Sequence, residues 1–297
     1  LGATPQRLLA FAHAYDARLN PAPPPEPWPG GQDWTTRLGQ RQAWPAYRSW
    51  FKAALAQQGR QATLARSLPT LMEGCGGAAF HGLIRSACAW HAAHDGELAD
   101  ALAYWACCCM PLGTTLADDF APGAHSDIPA LLCELRAAAG SAPGKARLIA
   151  DRMLQAARGD GFAAHVQRLA IDAGTLPRLS ALAADLYART GNFTVLHLVT
   201  SGHALRLLLP VLADPLCAVR HYWVAYAAGV LASGIDRVQA DVAPPASGMS
   251  WAQLVEAAVA NHDEHVIKLV WSCREEHQAS GADIYRLAAA GAVQPFG

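Results

Sequence analysis

Apolar residues recur every three to four positions through segment after segment of this chain. That spacing lines one face of an α-helix. It predicts helices over Thr4–Leu19, Trp44–Gln58, Arg60–Glu73, Ala78–His91, Glu97–Cys109 and Ile128–Ala139. Further helices follow over Gly144–Arg158, Phe162–Ala173, Leu176–Arg189, Phe193–Leu209, Leu216–Ser233 and Ala282–Ala290. Ser250-Trp251-Ala252-Gln253 is a capping-box start, and the periodicity after it runs on to Glu276 as one helix. Gly74–Gly77 breaks the chain, and Asp95-Gly96 is a turn in which Asp95 caps the next helix. Thr114–Asp127 and Asp236–Gly248 read as loops, and Asn20–Gly31 as a Pro-rich connector. The connector lies too near the start to separate two domains. Neither a period-2 strand pattern nor an internal repeat is present. The expectation is an all-α fold: a single large multi-helix domain over residues 1–297 with a central His-rich pocket.

Composition narrows the function. Apolar residues make up 52% and charged residues 16%, so a sizeable core is expected. A net charge of −1 without a basic tract points away from nucleic acid and anionic membrane surfaces. The longest uncharged apolar stretches, such as Trp223–Ala232, look too short to cross a bilayer. Eight cysteines lack paired C-x-x-C spacing and sit mostly in apolar helical stretches, which fits a reducing cytoplasm. Twelve histidines are the more telling feature, since imidazole is a frequent metal ligand.

Lys268 stands out among them. It lies in the run Val266-Ile267-Lys268-Leu269-Val270, one turn from His265. An ammonium in such surroundings is costly unless paired, neutralised or modified. As one helix, the segment puts His265, Lys268, Leu269 and Ser272 on one face, with Asn261 a turn earlier. The bland alternative is an i,i+4 ion pair with Glu264. His81 begins an apolar helix and shares a face with Arg85 and Cys88. His197 and His203 lie six apart, about 120° around a straight helix, so one metal reaches both only if the helix bends near Gly202. His221, beside Tyr222 and Trp223, suits substrate or core packing equally. Gly74-Cys75-Gly76-Gly77-Ala78-Ala79 formally fits G-x-G-x-x-A, but without a preceding strand it is no dinucleotide fingerprint.

Four segments share a further property. Phe80-His81-Gly82-Leu83-Ile84-Arg85, Glu97–Trp105, His197–Arg206 and Asp263-Glu264-His265-Val266-Ile267-Lys268, in this order, resemble the questin oxidase family. The resemblance implies oxygen chemistry on a polycyclic aromatic ketone such as an anthraquinone. The reaction would be a Baeyer–Villiger-type insertion using NADPH, or ring cleavage at non-haem iron, with O2 and a small aromatic molecule as the partners. It further implies a metal site of His81, His197, His203, His265 and a carboxylated Lys268, with His81, His265 and Lys268 carrying the chemistry. Members usually open with an Asn-His-Leu-Pro-like segment before the Leu1-Gly2-Ala3 seen here, so one more histidine is expected ahead of Leu1.

Two other classes compete. His94-Asp95 and His262-Asp263, with His91, match the elements of an HD-type metal-dependent phosphohydrolase. A non-catalytic helical scaffold with packed histidines is the other.

Overall fold

The computed structural model describes residues 1–113, 125–139, 146–236, 238 and 243–294. The all-α expectation holds: helices dominate, and no strand occurs among the described residues beyond one isolated bridge between His125 and Leu169. The helices are α1 (Pro5–Asp16), α2 (Trp44–Met72), α3 (His81–His91), α4 (Asp95–Cys108) and α5 (Ile128–Ala138). Next come α6 (Ile149–Ala157), α7 (Phe162–Val166), α8 (Thr175–Thr190), α9 (Phe193–Leu208) and α10 (Pro215–Ser233). The last are α11 (Trp251–Ala260), α12 (Glu264–Ser280) and α13 (Ile284–Val293).

Short polar side chains start these helices and glycines end several. Asn192 Oδ1 accepts from the amides of Thr194 and Val195, and Asp214 Oδ1 accepts from Cys217. The Ser250–Gln253 capping box is formed. Gly191, Gly234 and Gly281 close α8, α10 and α12 in the left-handed conformation. Gly59, at φ 78°, kinks α2 where the sequence reading separates two helices.

α9 is the hub. It packs against α3, α8, α10 and α12, and nearly all its side chains are buried. A helix apolar on every side belongs inside a core. Counted to Val211 it is long and apolar enough to span a membrane, contrary to the reading from uncharged stretches, yet most of it is buried within the protein.

Three local readings are corrected. The run from Ser250 to Glu276 is two helices, broken at Asn261-His262-Asp263, so Asn261 is not on the face of His265. Asp263 is a stronger start signal than the apolar period across it, because its carboxylate caps the next helix. Asp95 does not cap α4; the His94 ring accepts from the Glu97 amide instead, and Asp95 pairs with Arg60. The Phe162–Ala173 helix stops at Val166, after which the chain pairs with His125. Most of the loop at Thr114–Asp127, residues 237 and 239–242 of the Asp236–Gly248 loop, and the helix start at Gly144 lie outside the described residues.

Candidate metal centre

Three histidines from distant parts of the chain meet at one point. His81, His197 and His265 each bring a ring nitrogen to within 4.8 Å of the other two. Their ring centroids are 5.0 Å (His81–His197), 5.6 Å (His197–His265) and 6.5 Å (His81–His265) apart.

An unusual turn places His81. After α2 the chain runs through Gly74–Gly77 against the end of α4. A Cβ on Gly77 would lie 1.8 Å from the Cys108 carbonyl oxygen, and one on Gly74 would lie 2.4 Å from Cys109 Sγ. Only glycine permits that approach. Ala78, Ala79 and Phe80 then adopt φ of 47°, 54° and 64°. Each costs about 1–2 kcal/mol in this left-handed region, so the surroundings must hold them there. Phe80 supplies part of that hold, buried against Tyr222. The turn presents the Ala78 carbonyl to His81 Nδ1.

The other two rings are tethered in the same way. His197 Nδ1 donates to the Phe193 carbonyl one turn earlier, at 2.8 Å. His265 Nδ1 donates to Asp263 Oδ1 at 2.9 Å, the oxygen that also caps α12 by accepting from the His265 amide at 2.8 Å. With Nδ1–H donated, Nε2 of each neutral ring is the free lone pair, the usual state of a metal-binding imidazole. Phe193 walls the group, edge-on to both His197 and His265 at 4.9 Å.

Electrostatics favour neutral rings at His81 and His197. Burial, reinforced by neighbouring His81, pushes His197 down to about 3. His81 is also lowered, by burial first, against the opposing bond to Ala78. Asp263 is lowered: partial burial works against ionisation, but the amide and ring of His265 outweigh it. Three converging imidazoles suit zinc, copper, iron or nickel.

Lys268 stands beside the trio, one turn along α12 from Glu264. Burial lowers its pKa, partly offset by the fields of Glu264, Cys88 and Asp263, and its charge in turn depresses His81 and His197. The i,i+4 ion pair with Glu264 is not formed: among the described residues no carboxylate comes within ion-pair distance of Lys268, and Glu264 lies 3.6 Å from Arg18 instead. Lys268, Glu264 and Arg7 border a pocket of about 570 Å³, otherwise lined by apolar groups such as Leu8, Phe11, Val259, Ile267 and Trp271. Its volume is that of a small-molecule site. α1 forms one wall, held by Arg7, whose guanidinium donates to the carbonyls of Val259 and Asn261 at the end of α11.

His203 is not brought into the trio. α9 does not bend at Gly202, which packs against Ser180 and Tyr222, so the six-residue spacing turns His203 to another side of the helix. Its Nδ1 bonds Glu276 Oε1 at 2.7 Å. His221 lies elsewhere on α10. The two His-Asp dipeptides do not form one cluster: His94 caps α4, Asp95 pairs with Arg60, and Asp263 caps α12. Residues the sequence reading missed are Phe193, Glu276, Arg7 and the Asp263 tether. Of these, only Asp263 had a signal, an Asx residue just ahead of an apolar run.

By fold and site this is an all-α protein with a histidine trio; the expected central His-rich pocket is not found among the described residues, since none of the three rings lines the apolar pocket that Lys268 borders. Residues 1–273 match the questin oxidase-like family, and the chain belongs to that family. Membership carries, at the family level, oxidoreductase chemistry on aromatic substrates. No curated protein matches the chain.

Proposed function

We propose that this protein is an oxygenase that acts on a polycyclic aromatic ketone of the anthraquinone type at a non-haem Fe(II) site. The observation that carries the reading is the convergence of His81, His197 and His265 with each Nδ1 tethered and each Nε2 free. These three rings would hold the metal, and Lys268, as its carbamate, would add an anionic oxygen. An unmodified ammonium would be repelled there, whereas a carbamate offers a hard oxygen alongside imidazole, a combination iron accepts. Bound iron would supply O2 binding and electron transfer. The chain's own groups do the rest. Leu8, Phe11, Ile267 and Trp271 bind a flat apolar ring system and exclude water. Asp263 fixes the His265 ring and raises its basicity. Where one oxygen atom leaves as water, NADPH is the expected reductant; a ring cleavage that keeps both atoms needs none.

The test is reconstitution with Fe(II), followed by oxygen uptake with an anthraquinone substrate, with and without NADPH. Lys268→Ala and Lys268→Arg should both lose iron and oxygen uptake with helix content unchanged, since guanidinium stays charged and forms no carbamate. Normal iron content in both variants would remove Lys268 from the site.

A further inference from the structure

A second buried histidine system lies behind Lys268. His203 is 1% exposed, and its Nδ1 donates to Glu276 Oε1 at 2.7 Å. The same carboxylate oxygen accepts from Arg206 Nε at 2.6 Å. Burial works against the Glu276 carboxylate, but its bonds to His203 and Arg206 outweigh it, so it stays ionised below the usual range. The other ring nitrogen, His203 Nε2, is fully buried and has no hydrogen-bond partner. Such an orphan costs about 1–3 kcal/mol.

The His203 ring borders a narrow cavity with about 10 Å³ open to a water centre, roughly what a single water needs. Lys268 borders the same cavity, with Cys88, Thr200 and Ser272 as its other polar neighbours. Thr200 Oγ1 is already spent on the carbonyls of Leu196 and His197. With Nδ1–H given to Glu276, the ring's lone pair sits at Nε2, which no side-chain donor reaches directly.

We propose that His203 and Glu276 are a positioning pair that holds one water molecule against the head group of Lys268. The water donates one hydrogen to His203 Nε2 and the other to an oxygen of the lysine carbamate, so two acceptors share one double donor. Glu276 sets the tautomer that makes this possible. The pair thereby steadies the modified lysine from the small cavity that Lys268 and His203 share. The proposal rests on the reading of Lys268 as a carbamate, and Glu276 lies beyond the residues that carry the family match.

The experiment is ¹³C NMR of the Zn(II)-loaded protein titrated with ¹³C-bicarbonate, reading the carbamate resonance. Wild type should show it and Lys268→Ala should not. His203→Phe removes the acceptor, and Ala204→Val fills the cavity while leaving the His203–Glu276 bond in place. Each should need about tenfold more bicarbonate for half intensity, equivalent to about 1.4 kcal/mol. His203→Gln, whose amide oxygen restores an acceptor, should lie closer to wild type. If His203→Phe fails to fold, Ala204→Val decides. Wild-type bicarbonate dependence in the folded variants overturns the water bridge and leaves the carbamate standing. No resonance in wild type overturns the carbamate, and the bridge with it.

Discussion

His197 and His203 sit on the same helix, are equally buried and share the same donor habit at Nδ1, yet they do different things. His197 gives its Nδ1 proton to a backbone carbonyl, which leaves Nε2 as its lone pair, and its ring meets two other imidazoles. His203 gives its proton to a carboxylate that an arginine also holds, keeps Nε2 without a partner, and lines a water-sized space. Six residues of helix make the difference, because 600° of rotation leaves the two rings about 120° apart. Burial and residue type alone therefore do not pick out a ligand. What picks it out is what the second nitrogen faces.

The sharpest way to break the comparison is to delete each ring. His197→Ala should lower metal affinity by at least about 100-fold, more than loss of an outer partner usually costs. His203→Ala should lower it by no more than about tenfold, the lower end of that outer-partner range. Metal content after dialysis against a graded chelator measures both. Equal losses would place the two histidines in one coordination sphere and end the distinction.

Acid separates the two rings next. In the metal-stripped protein, burial first, and then the fields of His81, His265 and Lys268, hold His197 down to about 3. Its unfolded value is the ordinary one near 6.5, so between these values the unfolded chain binds the extra proton. Stability from this group is therefore complete above about pH 6.5 and drains away as pH falls toward 3. From pH 7 to pH 5 the loss should be about 2 kcal/mol by urea unfolding. Glu276 is also lowered, so its contribution persists through that window and is lost only below the ordinary carboxylate range. His197→Phe should flatten the slope between pH 6.5 and 5 and leave the lower one intact. An unchanged slope would show that His197 is not the group being protonated.

The helical architecture is legible in the sequence because a 3.6-residue period repeated a dozen times admits few other folds. The site is legible only in part. His81, His265 and Lys268 draw attention because each is polar on an apolar face, which is a property of local pattern. The choice between His197 and His203 depends on whether α9 bends at Gly202, and that is decided by Ser180 and Tyr222, contributed by other helices. The turn before His81 is hidden for a similar reason. Ala78 and Ala79 favour helix by propensity, and only packing against α4 and Tyr222 holds them left-handed. Lys268 looked pairable with Glu264 by spacing, yet Arg18 from near the far end of the chain takes up a position beside that carboxylate.

The finest contrast is between the tethers themselves. His197 is tied to a neutral carbonyl and His265 to a carboxylate, and only the second can be altered without touching the backbone. Asp263 does two jobs with one oxygen: it caps α12 and it orients the His265 ring. Asp263→Asn separates them. Asparagine caps a helix about as well as aspartate, so stability should change by only a few tenths of a kcal/mol. Its amide oxygen still accepts from Nδ1 but without the negative charge, so His265 becomes a weaker base and metal affinity should fall about tenfold. Asp263→Ala removes both functions, adding about 1 kcal/mol of lost cap to the loss of affinity. Thermal unfolding and chelator competition on the two variants give the comparison. An asparagine variant with wild-type affinity would mean that the carboxylate charge contributes nothing at His265. The two tethers, carbonyl and carboxylate, would then be equivalent, each acting through geometry alone.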